Sequence, residues 1–265
     1  MQYVDAIVAD YLAAVDAAVP HLVEGLYLVG SVALDDFRPP ASDIDFLAVT
    51  AQPLRPAHLD RLADVHTGVA TRNRRPFFDG AYVTWRELAE DPARAAPGGA
   101  VVHEGRLRVS GNGRTDPVAW HTLAGHGVAV RGPDRTAVPV WTDRAALAAW
   151  TRRNLDGYWR PWLRRSSRLL SRPGLACVAD WGPAWGVLGV SRLHYTLATG
   201  GITSKYGAGC YARDTFDPRW RRIVDECLRI RRGDAGPPGY RNPLARRREA
   251  LGFISMAIEE AHSLD

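Results

Sequence analysis

Ser31, Asp43 and Asp45 are residue types that together can handle a nucleoside triphosphate. Gly30-Ser31 ends the apolar run Gly25-Leu26-Tyr27-Leu28-Val29, and after eleven residues Asp43-Ile44-Asp45 opens a second run rich in β-formers, Ile44 to Val49. Both runs read as buried strands. Glycine lets the backbone approach a phosphate closely, and a serine at a helix start adds a hydroxyl where free N–H groups attract anions. Residues two apart on a strand share a face, so Asp43 and Asp45 aim at one point while Ile44 turns into the core. Two carboxylates plus substrate phosphates form the hard-oxygen set that Mg2+ takes. Beside Ile44, Phe46 and Leu47 the two aspartates would be costly to bury without a metal or other partner. Gly-Ser or Asp-x-Asp alone is common in loops and on surfaces; the two together, in strand context, are the signal.

Transfer of a nucleotidyl group to a hydroxyl also needs a base for the hydroxyl and positive charge for the leaving pyrophosphate. Asp79, in Phe78-Asp79-Gly80-Ala81-Tyr82-Val83, is the best-placed third carboxylate, with Glu87 and Glu104 in reserve; the plain alternative is an Asp-Gly turn. Arg192 lies in the mostly apolar stretch Val190-Ser191-Arg192-Leu193-His194-Tyr195, where its charge needs a phosphate or a buried aspartate as partner. Lys205 is the only lysine among 34 basic residues and follows Ser204 at a helix start, a position favourable to anions.

The elements that must position these residues divide at a change of charge. Residues 1–141 carry 13 Arg against 17 Asp/Glu, net −4; residues 142–265 carry 21 Lys/Arg against 12 Asp/Glu, net +9. An acidic half that could hold metal beside a basic half that could hold phosphate is what a triphosphate site needs. In the first half, Val4, Ile7, Val8, Tyr11, Leu12 and Val15 predict an amphipathic helix. A helix over 56–67, a strand over 77–84, a short strand or hairpin arm over 101–110, a helix after Asp116 and a strand over 127–130 follow. From Thr142 the pattern is helical: a run capped by Asp143 and kinked or ended by Pro161, then 185–199, 204–212, 218–230 and 243–262. The fold class expected is α+β, with a mixed α/β domain at 1–141 and a helical bundle at 142–265.

Cys177, Cys210 and Cys227 suggest neither a disulfide framework nor a zinc site, and a reducing cytoplasm fits them. No signal peptide or membrane span is read. The eight histidines form no H-E-x-x-H pattern and read as solvent or packing residues. Of the nine tryptophans, any one is more readily core than a stacking platform. Arg219, Arg221, Arg222, Arg229, Arg231 and Arg232, and separately Arg246-Arg247-Arg248, make basic helix faces, yet no RNA- or DNA-reading motif accompanies them.

Three motifs resemble aminoglycoside nucleotidyltransferases of the streptomycin/spectinomycin adenylyltransferase type. They are Leu28-Val29-Gly30-Ser31 with Ser42-Asp43-Ile44-Asp45-Phe46-Leu47; His126-Gly127-Val128-Ala129-Val130-Arg131-Gly132-Pro133; and Ser191-Arg192-Leu193-His194-Tyr195-Thr196-Leu197-Ala198-Thr199-Gly200-Gly201-Ile202 followed by Ser204-Lys205. The resemblance implies a DNA-polymerase-β-like nucleotidyltransferase domain followed by a helical domain, with nucleotide and acceptor between them. It further implies Asp43 and Asp45 as Mg2+ ligands, Asp79 as the base, and Arg192 and Lys205 as holders of the ATP phosphates, beside the Gly30-Ser31 turn that the residues themselves suggest for the triphosphate. That base is usually glutamate, one methylene longer than Asp79. The acceptor is expected to be read around Asp180, Trp181 and Trp185, with Gly182 where a carboxylate would be expected. The function implied is a cytoplasmic, monomeric enzyme moving AMP from ATP to a hydroxyl of an aminoglycoside or aminocyclitol. The alternatives are a metabolite, protein hydroxyl or RNA end as acceptor, or a non-catalytic nucleic-acid-binding module.

Overall fold

Val4, Ile7, Val8, Tyr11 and Val15 are all buried, and they form the inner stripe of α1 (Gln2–Ala18). Each such apolar side chain contributes roughly 1.5–3 kcal/mol when taken out of water, which suffices to dock the helix on the sheet that follows. The computed structural model describes residues 2–39, 41–94, 99–110 and 116–264. It falls into two compact units, Met1–Thr142 and Asp143–Asp265.

The first unit is a six-stranded mixed sheet. Its elements after α1 are β1 (Gly25–Val29), α2 (Gly30–Ala33), β2 (Ile44–Thr50), α3 (Pro56–Arg72), β3 (Phe78–Thr84), α4 (Trp85–Leu88), β4 (Gly99–His103), β5 (Arg106–Ser110), α5 (Pro117–His126) and β6 (Val128–Arg131). The strand order is β5-β4-β3-β2-β1-β6. β2 and β3 run parallel, and the other pairings are antiparallel. One face packs Leu26, Leu28, Ile44, Phe46, Phe78 and Tyr82 with α1 and α3. The other carries Tyr27, Val29, Leu47, Val49 and Val83 with Leu88, Trp120 and Leu123.

The segment expected as one arm over 101–110 is a hairpin, turned by Glu104 and Gly105 at φ of 51° and 70°. Helix α4 was not anticipated from the sequence. It is one turn long and begins in a capping box, where Thr84 N–H donates to Glu87 Oε2 at 2.6 Å and Glu87 N–H donates back to Thr84 Oγ1 at 3.1 Å. Helix α3 runs on to Arg72, beyond the Thr67 expected.

The second unit is helical: α6 (Arg144–Asn154), α7 (Arg160–Ser167), α8 (Arg172–Ala176), α9 (Trp181–Thr199), α10 (Lys205–Thr215), α11 (Arg221–Arg232) and α12 (Pro243–His262). Asp143 Oδ1 accepts Ala146 N–H at 2.7 Å, the cap expected of it. Between α6 and α7, Leu155–Trp159 forms a π turn just before Pro161. Proline has no N–H and its ring crowds the carbonyl four residues earlier, and a π turn absorbs both. Trp159 and Trp162 pack into α9, where Cβ atoms on Gly189 and Gly186 would stand 2.3 Å from Trp159 and 3.0 Å from Trp162. No helix among the described residues is long and apolar enough to cross a membrane.

Under α1 and α3 lies a buried polar chain. His66 Nε2 meets Tyr82 Oη at 2.8 Å, and Tyr82 Oη meets Tyr11 Oη at 2.8 Å. Burial pushes the His66 imidazole down to about 3. Its folded pKa is thus below the unfolded value, so the unfolded chain binds the proton first and stability falls as pH drops below the unfolded value. Between pH 7 and pH 5 this single group should remove about 2 kcal/mol. Chemical denaturation at the two pH values should show that loss in the wild type and a clearly smaller one in His66→Phe.

Candidate active site

The acidic residues named from the sequence gather at one end of the sheet. Asp45 is the second residue of β2 and lies opposite Val29 of β1 and Asp79 of β3. Paired residues of neighbouring strands share a face, and Asp43 stands two before Asp45. Asp43, Asp45 and Asp79 therefore share one face. Gly30 has φ +59°, and a Cβ on it would stand 2.0 Å from Asp45 Oδ2. The Asp45 carboxylate occupies the space a side chain there would need. Ser31 Oγ donates to Asp43 O at 3.5 Å, which ties the turn to the acidic segment.

Asp43 Oδ1 accepts from Phe77 N–H at 3.3 Å and from Arg75 Nη1 at 3.4 Å. Its side chain is 40% exposed. Asp79 is nearly buried: Oδ2 accepts Glu104 N–H at 2.9 Å, Oδ1 accepts Gly105 N–H at 3.3 Å, and His103 Nδ1 lies 3.3 Å from Oδ2. Burial pushes the Asp79 carboxyl up, the two amides and His103 pull it back, and the Asp43 charge adds to the rise. Of the reserve carboxylates, Glu87 is committed to capping α4, and Glu104 contributes its backbone to Asp79. His103, read from the sequence among solvent or packing residues, stands next to Asp79; only the strand pairing could have revealed it.

Two aspartates and a glycine turn suit a hard cation that brings phosphate oxygens with it. Among the described residues no three His, Cys, Asp or Glu converge as a complete protein cage for a metal.

In the helical unit, Trp181, Trp185 and Arg192 recur at intervals of four and seven along α9 and so lie on one face. The Trp181 and Trp185 rings stack at 5.6 Å with 17° between their planes. Lys205 Nζ sits 4.5 Å from the centre of the Trp185 ring. Ser204 caps α10, its Oγ accepting Gly207 N–H at 3.0 Å. Trp181, Trp185 and Lys205 thus come together, with Arg192 on the same face of the helix. Asp180, immediately before Trp181, is held by Arg246 Nη1 at 2.5 Å. Arg246 also reaches Glu226 Oε1 at 3.4 Å and donates to Val178 O at 2.9 Å. Burial would push Glu226 up, but Arg229, Gly239 N–H and Arg246 hold its carboxyl below the usual range. Gly182 explains the carboxylate missing there: a Cβ would meet Ala176 O at 2.4 Å. Some arginines of the expected basic faces are engaged by backbone carbonyls of the unit: exposed Arg222 donates to Gly239 O and half-buried Arg247 to Ser166 O.

A six-stranded mixed sheet with paired carboxylates beside a glycine turn is thus followed by a helical unit. The solved structure of spectinomycin adenyltransferase AAD(9) from Enterococcus faecialis with ATP and spectinomycin shares the fold, with TM-score 0.64 and 12% identity over 94% of this chain and 98% of that one. Residues 167–246 match the family model for the aminoglycoside adenylyltransferase C-terminal domain. A comparison with curated proteins finds no match. The resemblance drawn from the motifs is thus borne out, in fold along nearly the whole chain and in sequence over 167–246, and the enzyme class it points to is nucleotidyltransferase.

The close approach at Gly30 is testable by stability alone. Gly30→Ala, strained at positive φ and crowded by Asp45, should lose about 1–3 kcal/mol in urea unfolding. Gly125→Ala is the control: it stands in α5 with nothing within 4 Å of a Cβ, and it should be neutral or gain up to about 1 kcal/mol.

Proposed function

We propose that the chain is a magnesium-dependent adenylyltransferase that moves AMP from ATP to a hydroxyl of an aminoglycoside or aminocyclitol antibiotic, working in the cytoplasm. The observation that carries this reading is the alignment of Asp43, Asp45 and Asp79 on one face beside Gly30, in a chain whose residues 167–246 match an aminoglycoside adenylyltransferase domain. Asp43 and Asp45 would hold Mg2+, which when bound supplies Lewis-acid stabilisation of the phosphate charge. Gly30 and Ser31 receive the phosphates at the turn. Arg192 and Lys205 offset the charge of the leaving pyrophosphate. Asp79 belongs to the general base of the acceptor hydroxyl. Asp180, Trp181 and Trp185 form the acceptor-reading segment; with Asp180 already paired to Arg246, an acceptor of low positive charge suits it better than a polycation.

The test is pyrophosphate release with mass analysis, using Mg2+ and each nucleoside triphosphate against a panel including streptomycin and spectinomycin. The expected result is an antibiotic heavier by one AMP, formed with ATP. ATP that fails to bind in the presence of Mg2+ would sink the reading; ATP that binds with no panel member modified would move the acceptor to another class. Asp43→Asn and Asp45→Asn should each lower turnover by a factor of about 100 or more. Lys205→Ala should act mainly on ATP, raising its Kd about ten-fold with smaller effect on the acceptor.

A further inference from the structure

We propose that the proton of the acceptor hydroxyl passes to Nε2 of His103, and that Asp79 is the positioning residue that orients this imidazole. The inference rests on the transfer reading above and names the atom that takes the proton. Strands β3 and β4 pair Gly80 with Val102 and Ala81 with Val101. One step further along that antiparallel register, Asp79 stands opposite His103, so both side chains lie on the face that carries Asp45. The contact is made: His103 Nδ1 is 3.3 Å from Asp79 Oδ2.

The two groups differ in what they can offer. The Asp79 side chain is 12% exposed and His103 is 69% exposed. Both Asp79 oxygens already accept backbone N–H groups, from Glu104 and Gly105. A carboxylate can only accept, so the hydrogen in the contact belongs to His103 Nδ1, and in the neutral imidazole Nε2 is then the nitrogen left to accept a proton. A fixed carboxylate, an imidazole in a set tautomer and an open Nε2 are the parts of a general-base dyad. The imidazole also supplies the reach that aspartate lacks relative to glutamate. In the step, the acceptor O–H bond breaks and its proton goes to Nε2. The oxygen forms a bond to the α-phosphorus of ATP, and the bond from that phosphorus to the pyrophosphate oxygen breaks, the electron pair leaving with pyrophosphate. The imidazolium that results is balanced by Asp79, and it returns its proton to water.

Three measurements test this, one of them independent of turnover. Nitrogen-15 NMR of the imidazole should show the Nδ1–H tautomer in the wild type and mainly Nε2–H in Asp79→Asn. His103→Gln, a change at an exposed side chain, should lower kcat by a factor of about 100 or more while leaving the KM for ATP unchanged. His103→Ala should recover part of its rate with added imidazole. A wild-type Nε2–H tautomer, or a His103→Gln enzyme within two-fold of the wild-type kcat, would overturn the proposal and return the base to Asp79. If the wild type transfers to no hydroxyl acceptor, it is the transfer reading that fails, and the tautomer still decides whether Asp79 presents Nε2.

Discussion

The parallel pairing of β2 with β3, from Ile44 opposite Phe78 to Thr50 opposite Thr84, is the constraint on which the acidic site depends. The same alternation that sends Ile44, Phe46, Phe78 and Tyr82 into the core under α1 and α3 sends Asp45 and Asp79 to the opposite face. A slip by one residue would bury the aspartates among aromatic rings and expose the rings. Gly80 adds a steric lock. A Cβ there would stand 2.1 Å from Phe46 O, so the strands meet at the closeness only glycine allows. Packing energy therefore holds three carboxylates together, and its cost shows in the Asp79 carboxyl, raised first by burial and in smaller part by the Asp43 charge.

In the helical unit the corresponding role falls to a buried ion network. Glu226 is almost wholly buried and gathers Arg229, Arg246 and Gly239 N–H, and Arg246 extends to Asp180 at the foot of α9. Removing one member would leave a buried charge without its partner, which is far more costly than never having had the pair. Part of the positive charge that looked available to a polyanion is thus committed inside the unit. The aromatic pair Trp181 and Trp185, with Lys205 over the second ring, is seated just beyond that network.

What could be read from the sequence is what depends on neighbours in the chain. The periodicity of α1, the caps at Asp143 and Ser204, and the glycine stop at Gly200 are local, and they stand where the pattern put them. Asp79 carries an Asp-Gly signature that also fits a turn, and only its place between Phe78 and Tyr82 pointed to a strand. Helix α8 went unseen because Ser171-Arg172-Pro173-Gly174 has the composition of a turn. The partnerships of His103 with Asp79 and of Arg246 with Asp180 span 24 and 66 residues, and no local pattern announces either. A glycine at 182 looked like a lost carboxylate; the cause is the backbone of Ala176 pressed against it.

Lys205 gives the molecule an unusual chemical economy. As the only lysine, it makes the chain's side chains present one primary amine, and that amine stands over an indole ring. A reagent that acylates lysine side chains would act at this position alone among them, and the loss of charge above Trp185 would be felt by a fluorophore already in place. The arginine-for-lysine composition, whatever its origin, leaves a single side-chain address for amine chemistry.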